Sequence, residues 1–154
     1  MGTYYADTSA LVKRYVHEQG TAWVTGLTDP ANGHELYTVR LTGPEMIAAL
    51  FRRSRVGSIT AVDAARATYN FRLDWRHQYL VLEVTMSVAD RAMGLAEKNG
   101  LQGYDAVHLA VALEVESQRL TLGLASVTFI SADDAQRRAA RTNGLLVENP
   151  NVYP

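Results

Sequence analysis

A chain of 154 residues fits one domain, and at 47% hydrophobic composition it can bury a core of its own. Without cysteine it can form no disulfide, no thiolate metal site and no cysteine nucleophile. Its 15 basic and 16 acidic side chains give a net charge of −1, unlike the strongly basic balance of a general nucleic-acid binder.

At the N-terminus, Asp7 interrupts the chain before a signal-peptide core can develop, and Met1-Gly2 lacks the later hydroxyl residue of a myristoylation signal because position 6 is Ala6. No apolar run approaches the ~20 residues that span a bilayer. A cytoplasmic location is expected. Thr3 to Ala6 reads as a first strand, and Ser9 to Glu18 as a helix ended by Gly20, with Leu11, Val12, Tyr15 and Val16 at helical spacing. A short helix over Ala22 to Leu27 stops at Asp29-Pro30, Asn32-Gly33 marks a turn, and Glu35 to Leu41 is a strand. Thr42 to Arg55 is a helix with Met46, Ile47 and Leu50 on one face. Thr60 to about Trp75 is another, opened by a Thr60…Asp63 capping pattern.

Tyr79 to Val84 reads as a buried strand, and Ser87 to Lys98 as a helix capped by Ser87 and Asp90 and stopped by Asn99-Gly100. Tyr104 to about Gln118 is apolar on several sides, which predicts a central helix. Strand Ser126 to Ile130, helix Ala132 to Thr142 and strand Leu145 to Val147 complete the chain. Strands alternating with helices predict a parallel sheet covered on both faces. The doubled helices between some strands favour a three-layer α/β/α sandwich over a barrel, as one domain over residues 1–154.

Asp7, Glu45, Asp105 and Asp133 stand where these strands end or these helices begin. In an open α/β sheet, ligands bind outside the carboxyl ends of the strands. Four carboxylates gathered there repel one another, and an all-oxygen donor set suits a hard divalent cation, Mg²⁺ with Mn²⁺ as substitute. Setting those four aside leaves 12 acids against 15 bases, a balance of +3 around the site. Each acid also has a local explanation. Thr42-Gly43-Pro44-Glu45 is a capping box, Asp7 can cap the first helix, and Asp105 and Asp133 sit in first turns that favour an anion. The set weakens that explanation, because Asp7 follows an apolar strand and Asp105 lies within Tyr104-Asp105-Ala106-Val107-His108-Leu109-Ala110.

Tyr5-Ala6-Asp7-Thr8-Ser9-Ala10-Leu11-Val12-Lys13 resembles the opening motif of PIN-domain nucleases. Glu45 followed by Met46-Ile47-Ala48-Ala49-Leu50 resembles their second motif, Gly103-Tyr104-Asp105-Ala106-Val107-His108-Leu109-Ala110 their third, and Phe129-Ile130-Ser131-Ala132-Asp133 their fourth. The match runs in order over nearly the whole chain, and its style is similar to the VapC-type toxins of bacterial toxin–antitoxin pairs. The resemblance implies a PIN-like fold and a metal-dependent endoribonuclease with Asp7, Glu45, Asp105 and Asp133 as catalytic and metal-binding acids. It also implies a hydroxyl from Thr8 or Ser9 at the site, a homodimer and a small antitoxin partner. Lys13, Arg14 and Arg40 are candidates for phosphate contacts. Arg52, Arg53 and Arg55 read first as cations suited to a helix C-terminus. Ser131…Asp134 forms its own capping pattern, which makes Asp133 the ligand candidate and Asp134 the cap.

The four histidines, His17, His34, His77 and His108, show no zinc spacing, and His108 shares a helix face with Asp105 as a packed or supporting residue. Tyr15 and Trp23 are candidates to grip an antitoxin helix, with core filling by Trp23 the rival reading. Two other functions compete. A PIN-like module that binds without cutting is disfavoured by the full set of acids. A phosphoryl-transfer enzyme of the haloacid-dehalogenase type needs a second Asp two residues after the first, where this chain has Ser9.

Overall fold

Each apolar strand needs a cover on both faces, and the helices between strands supply it. The computed structural model describes residues 1–154. In chain order the elements are β1 Thr3–Ala6, α1 Thr8–Leu11, a 3₁₀ turn Val12–Arg14, α2 Thr21–Leu27, β2 Glu35–Val39, α3 Thr42–Arg55, α4 Ala61–His77 and β3 Leu80–Leu82. Then follow α5 Met86–Asn99, α6 Gly103–Thr121, β4 Thr128–Ile130, α7 Asp134–Thr142, β5 Leu146–Glu148 and a closing 3₁₀ turn Pro150–Val152. The five strands form one sheet in the order β3-β2-β1-β4-β5, with every neighbouring pair parallel. β1 is central, with Tyr5 opposite Tyr37 of β2 and Phe129 of β4.

Alternation along the strands divides the core in two. Tyr5, Val39 and Phe129 face one side, where Val88, Ala92 and Leu95 of α5, Leu109 of α6 and Ala139 of α7 close over them. Ala6, Leu36 and Ile130 face the other, against Leu11, Met46 and Leu50, and Phe71 of α4. The expected α/β/α sandwich is the observed one. Burying Met46, Leu50 or Phe71 fully contributes about 1.5–3 kcal/mol each. The central helix α6 buries Ala106, His108, Leu109, Ala110, Val111, Ala112, Leu113 and Val115, which explains why its sequence is apolar on several sides.

Three local expectations are corrected. The helix expected over Ser9 to Glu18 stops at Leu11 and tightens into the 3₁₀ turn. In that conformation Arg14 Nε and the Tyr15 hydroxyl both donate to Asp74 Oδ2 of α4, at 2.8 and 2.7 Å. Helix α5 starts at Met86 and is capped by Thr85, whose hydroxyl accepts from the Val88 N–H, not by Ser87 and Asp90. β3 is a three-residue edge strand with Leu80 exposed, shorter than the buried strand expected over Tyr79 to Val84. A short edge strand limits pairing with other chains.

The C-terminal segment straps α2. Trp23 stacks on Tyr153 with ring centroids 4.5 Å apart, and Gln19 Nε2 donates to the Tyr153 carbonyl. Gly20 makes the crossing possible. Its φ is +85°, and a Cβ there would lie 2.2 Å from the Pro150 carbonyl oxygen. Gly94 lies within helix α5 with open space around it. Gly20→Ala is expected to destabilise the protein by about 1–3 kcal/mol from backbone strain alone, whereas Gly94→Ala should stabilise it by about 0.5–1 kcal/mol. Urea unfolding of the two variants beside the parent checks both signs.

Candidate active site

Asp7 is the first residue beyond β1 and continues that strand's pairing by one step, donating its N–H to the Ile130 carbonyl at 3.1 Å. Its extended backbone makes it the N-cap of α1, with Oδ1 accepting from the Ala10 N–H at 2.9 Å and from the Ser9 hydroxyl at 2.6 Å. The side chain is almost completely buried. Burial pushes its carboxyl up from the usual range, and His108, Ser131, Ser9 and the Ala10 amide pull it back.

Glu45 does not close the capping box expected with Thr42. The N-cap of α3 is Leu41, without a side-chain cap, and the Thr42 hydroxyl is buried against that of Thr38 at 2.7 Å. Glu45 is thereby released from the helix end. Its Oε1 accepts from the Thr8 hydroxyl at 3.1 Å and meets His108 Nε2 at 2.7 Å. On the far side of that ring, Nδ1 lies 3.0 Å from the Tyr5 hydroxyl. The ring thus bridges Glu45 to Tyr5, whose phenol is kept protonated by burial and by Asp7 and Glu45. His108 is therefore the supporting residue that its position after Asp105 suggested.

Asp105 enters from the first turn of α6. Its carboxyl is pushed up to about 6, first by burial and then by the negative charges of Asp7, Asp133 and Glu45, with His108 opposing. The cap expected of Asp134 is instead made by Asp133, the acid expected at the site. Asp133 is the N-cap of α7, with Oδ1 accepting from the Gln136 N–H at 2.8 Å, whereas Asp134 is highly exposed and pairs with Arg137. Only Asp133 borders the hollow, so one carboxylate caps a helix and faces the other three acids together.

Gln136 escaped notice in the sequence because a glutamine in a polar helix carries no signal. It is fully buried, and its Nε2 donates to the Asp105 carbonyl at 2.9 Å, which ties α7 to the first turn of α6. Its Oε1 has no partner. Ser131 and Ser9 were only partly legible. The Ser9 hydroxyl accepts from the Ala132 N–H at 2.9 Å, and the Ser131 hydroxyl accepts from the Asp133 N–H at 3.1 Å.

Asp7, Glu45, Asp105 and Asp133, with Thr8, Ser9 and His108, border one hollow of about 620 Å³. Four segments of chain thus bring four acids to the carboxyl end of the sheet. Lys13 also borders it, but its ammonium is buried and held by Glu18 Oε1 at 3.1 Å and the Gln19 carbonyl at 2.9 Å. Arg14 does not reach the hollow. It pairs with Asp74 and donates to Thr28, because the 3₁₀ turn rotates it toward α4. Arg40 pairs with Glu83 and lies outside as well. The cations on the wall are Arg52 and Arg53 of α3, of which Arg53 also reaches Glu18 at 3.3 Å. Tyr15 is not free to grip a partner, being bonded to Asp74 and Tyr79 and packed on Phe71.

The hard-oxygen donor set fits a divalent cation. No three of its His, Asp and Glu side chains close a metal cage by themselves. Mg²⁺ does not require one, since it keeps several waters and uses one or two carboxylates plus substrate phosphate.

Because Asp105 is raised in the folded chain, its ionised form opposes folding above pH ~6, and that penalty fades as pH falls toward the unfolded value near 4. Asp105→Asn is therefore expected to raise the melting temperature of the metal-free protein by a few degrees at pH 7. The gain should shrink as pH is lowered from 7 to 4, which calorimetry across that range checks.

No family model matches the chain. Two curated relatives do. Ribonuclease VapC45 and ribonuclease VapC49, from two strains of Mycobacterium tuberculosis, are each 34% identical over 124 residues, covering 80% of this chain and 84% of theirs. Among solved structures, PAE2754 from Pyrobaculum aerophilum matches with a TM-score of 0.61 at 22% identity, over 95% of this chain and 83% of that one. FitAcB from Neisseria gonorrhoeae matches with a TM-score of 0.54 at 15% identity, over 96% and 97%. The two structures share the fold. With 34% identity over 124 residues, along most of both relatives' length, this chain belongs to the VapC ribonuclease family.

Proposed function

We propose that this chain is a divalent-cation-dependent endoribonuclease, the toxin of a toxin–antitoxin pair, with Asp7, Glu45, Asp105 and Asp133 as its acidic site. The observation that carries the reading is the convergence of those four carboxylates in one hollow, with Asp105 raised to about 6 by burial and by the other three. Like charges held this close make a site for a cation. When bound, Mg²⁺ or Mn²⁺ supplies positive charge to the substrate phosphate and makes water a nucleophile near neutral pH.

The chain's own residues supply position. Asp7 is locked between β1 and α1, Glu45 is aimed by Thr8 and His108, Asp105 is anchored through Gln136, and Asp133 through its own cap. Arg52 is exposed on the wall with no carboxylate partner, and it is the side chain best placed to receive a phosphate at the rim. Attack by water rather than by the ribose 2′-hydroxyl leaves a 5′-phosphate and a 3′-hydroxyl. Unpaired RNA is the substrate to test, since its splayed bases are what proteins read specifically. A binding module that does not cut is the rival reading, and the full set of four acids in one hollow stands against it.

Purified protein is expected to cut single-stranded RNA with Mg²⁺ or Mn²⁺, to stop in EDTA and to need no zinc. Asp7→Asn should lose at least a hundredfold in rate while keeping its circular dichroism spectrum. Cleavage in thoroughly chelated buffer, or products ending in a 2′,3′-cyclic phosphate, refutes the mechanism.

The partner reading is a small antitoxin that inserts an arginine into the acidic hollow, where a guanidinium pairs with two carboxylate oxygens. A homodimer as the working form belongs to the same reading. Co-expression with the neighbouring small reading frame is expected to give a stable complex with suppressed cleavage, and size-exclusion chromatography with light scattering reads its stoichiometry. A neighbour that neither binds nor suppresses cleavage removes the toxin assignment and leaves the nuclease.

A further inference from the structure

One turn of α3 separates the acidic hollow from a second one. Residues 43 and 45 lie two steps apart on the helix, about 200° around its axis. Glu45 accordingly points to Thr8 and His108, while Gly43 faces the other way, toward the ring of Trp75. On that second side lies an open hollow of about 570 Å³ bordered by Arg40, Arg72, Trp75, Arg76, Tyr79 and Val81. Three guanidinium groups converge there. Arg72 and Arg76 are one turn apart on α4, are exposed and pair with no carboxylate. Asp74, between them in sequence, is turned inward to Arg14 and Tyr15. Arg40 lies over the Trp75 ring with its guanidinium carbon 5.9 Å from the centroid. Glu83 takes its Nε and Nη2 on one carboxylate oxygen, leaving Nη1 unbonded.

We propose that this basic hollow binds the phosphodiester backbone of single-stranded RNA beside the scissile position. The inference rests on the ribonuclease reading of the acidic site. Arginines one turn apart repel each other, and a polyanion removes that repulsion. Arg40 follows β2 directly, at the end of the sheet where Asp7 follows β1, and the hollow runs from there along β3 toward Tyr79 and Arg76, which precede that strand. A helix with its side chains is ~10–12 Å thick, so a strand crossing the first turn of α3 places phosphates a few nucleotides apart in the two hollows. The acidic hollow offers only Arg52 and Arg53 on its wall beside the bound cation, so guanidinium groups outside it add to the hold on a polyanion. Trp75, packed on Phe71 and covered by Arg40, lines the hollow.

The test uses full-length Asp105→Asn protein, so that RNA is not consumed, and a 5′-fluorescein single-stranded RNA of about eight nucleotides, within the length one such site spans. In fluorescence anisotropy, adding Arg72→Gln and Arg76→Gln is expected to weaken binding about tenfold and to lower the slope of log K against log salt by ~0.7 for each arginine removed. Arg66→Gln with Arg141→Gln changes the charge equally elsewhere and should leave both nearly unaltered. Unchanged affinity and slope in the Arg72/Arg76 variant overturn the proposal. So does the loss of a co-purified partner chain from that variant with RNA binding intact, which would make the hollow a protein dock. Cleavage of long RNA by the parent protein is scored separately. Its absence in Mg²⁺ refutes the nuclease reading, while the anisotropy result still decides the basic hollow.

Discussion

A carboxylate with almost no exposed surface, Asp7, is the constraint around which the catalytic end of the molecule is arranged. A buried charge needs hydrogen bonds from every side that water has left. Here they come from the Ala10 amide and the Ser9 hydroxyl, and the residue's own N–H extends the β1–β4 ladder. The same Ser9 oxygen accepts from Ala132, so the loop between β4 and α7 is positioned by the group that satisfies Asp7. Ser131 then holds the Asp133 amide, and Asp133 caps α7. Strand, helix and loop are joined through one acid at the centre of the sheet.

The other acids show how a strained site is carried by an ordinary core. Asp105 is held where its charge is unwelcome, and the apolar packing of α6 against α5 and the sheet supplies the stability that this opposes. His108 shows the economy of the arrangement. One face of α6 places Asp105 in the hollow, and one turn later it places a ring that bridges Tyr5 of the central strand to Glu45 of α3. Removing either partner would leave a buried nitrogen or hydroxyl unpaired, the expensive outcome for a polar group in a core.

Helix α3 gives the two sides of the molecule different electrostatics. Its first turn carries Glu45 toward three other acids, and its reverse side meets Trp75, where cations gather. A net charge of −1 conceals this separation, because a sum over the chain says nothing about where the charges stand.

Local pattern determined the alternation of strands and helices, the three layers, and the four acids at element ends, because hydrophobic period and turn residues act over a few positions. The resemblance of the motifs around Asp7 and Asp105 also indicated the family. Tertiary structure decided what depends on contacts between distant segments. Glu45 looked like a capping residue and is instead bound by Thr8 and His108, 37 and 63 positions away. Arg14 looked free for phosphate and is held by Asp74, 60 positions away. Asp134 looked like the cap of the last helix, but Asp133 is, because helix-start propensity is the same for both and the Gln136 amide reaches only Asp133. Gln136 itself, buried and bonded to the Asp105 backbone, has no local signature at all. Secondary structure follows from neighbours along the chain, whereas the occupancy of each polar group is settled by whichever donor or acceptor the packed sheet brings within reach.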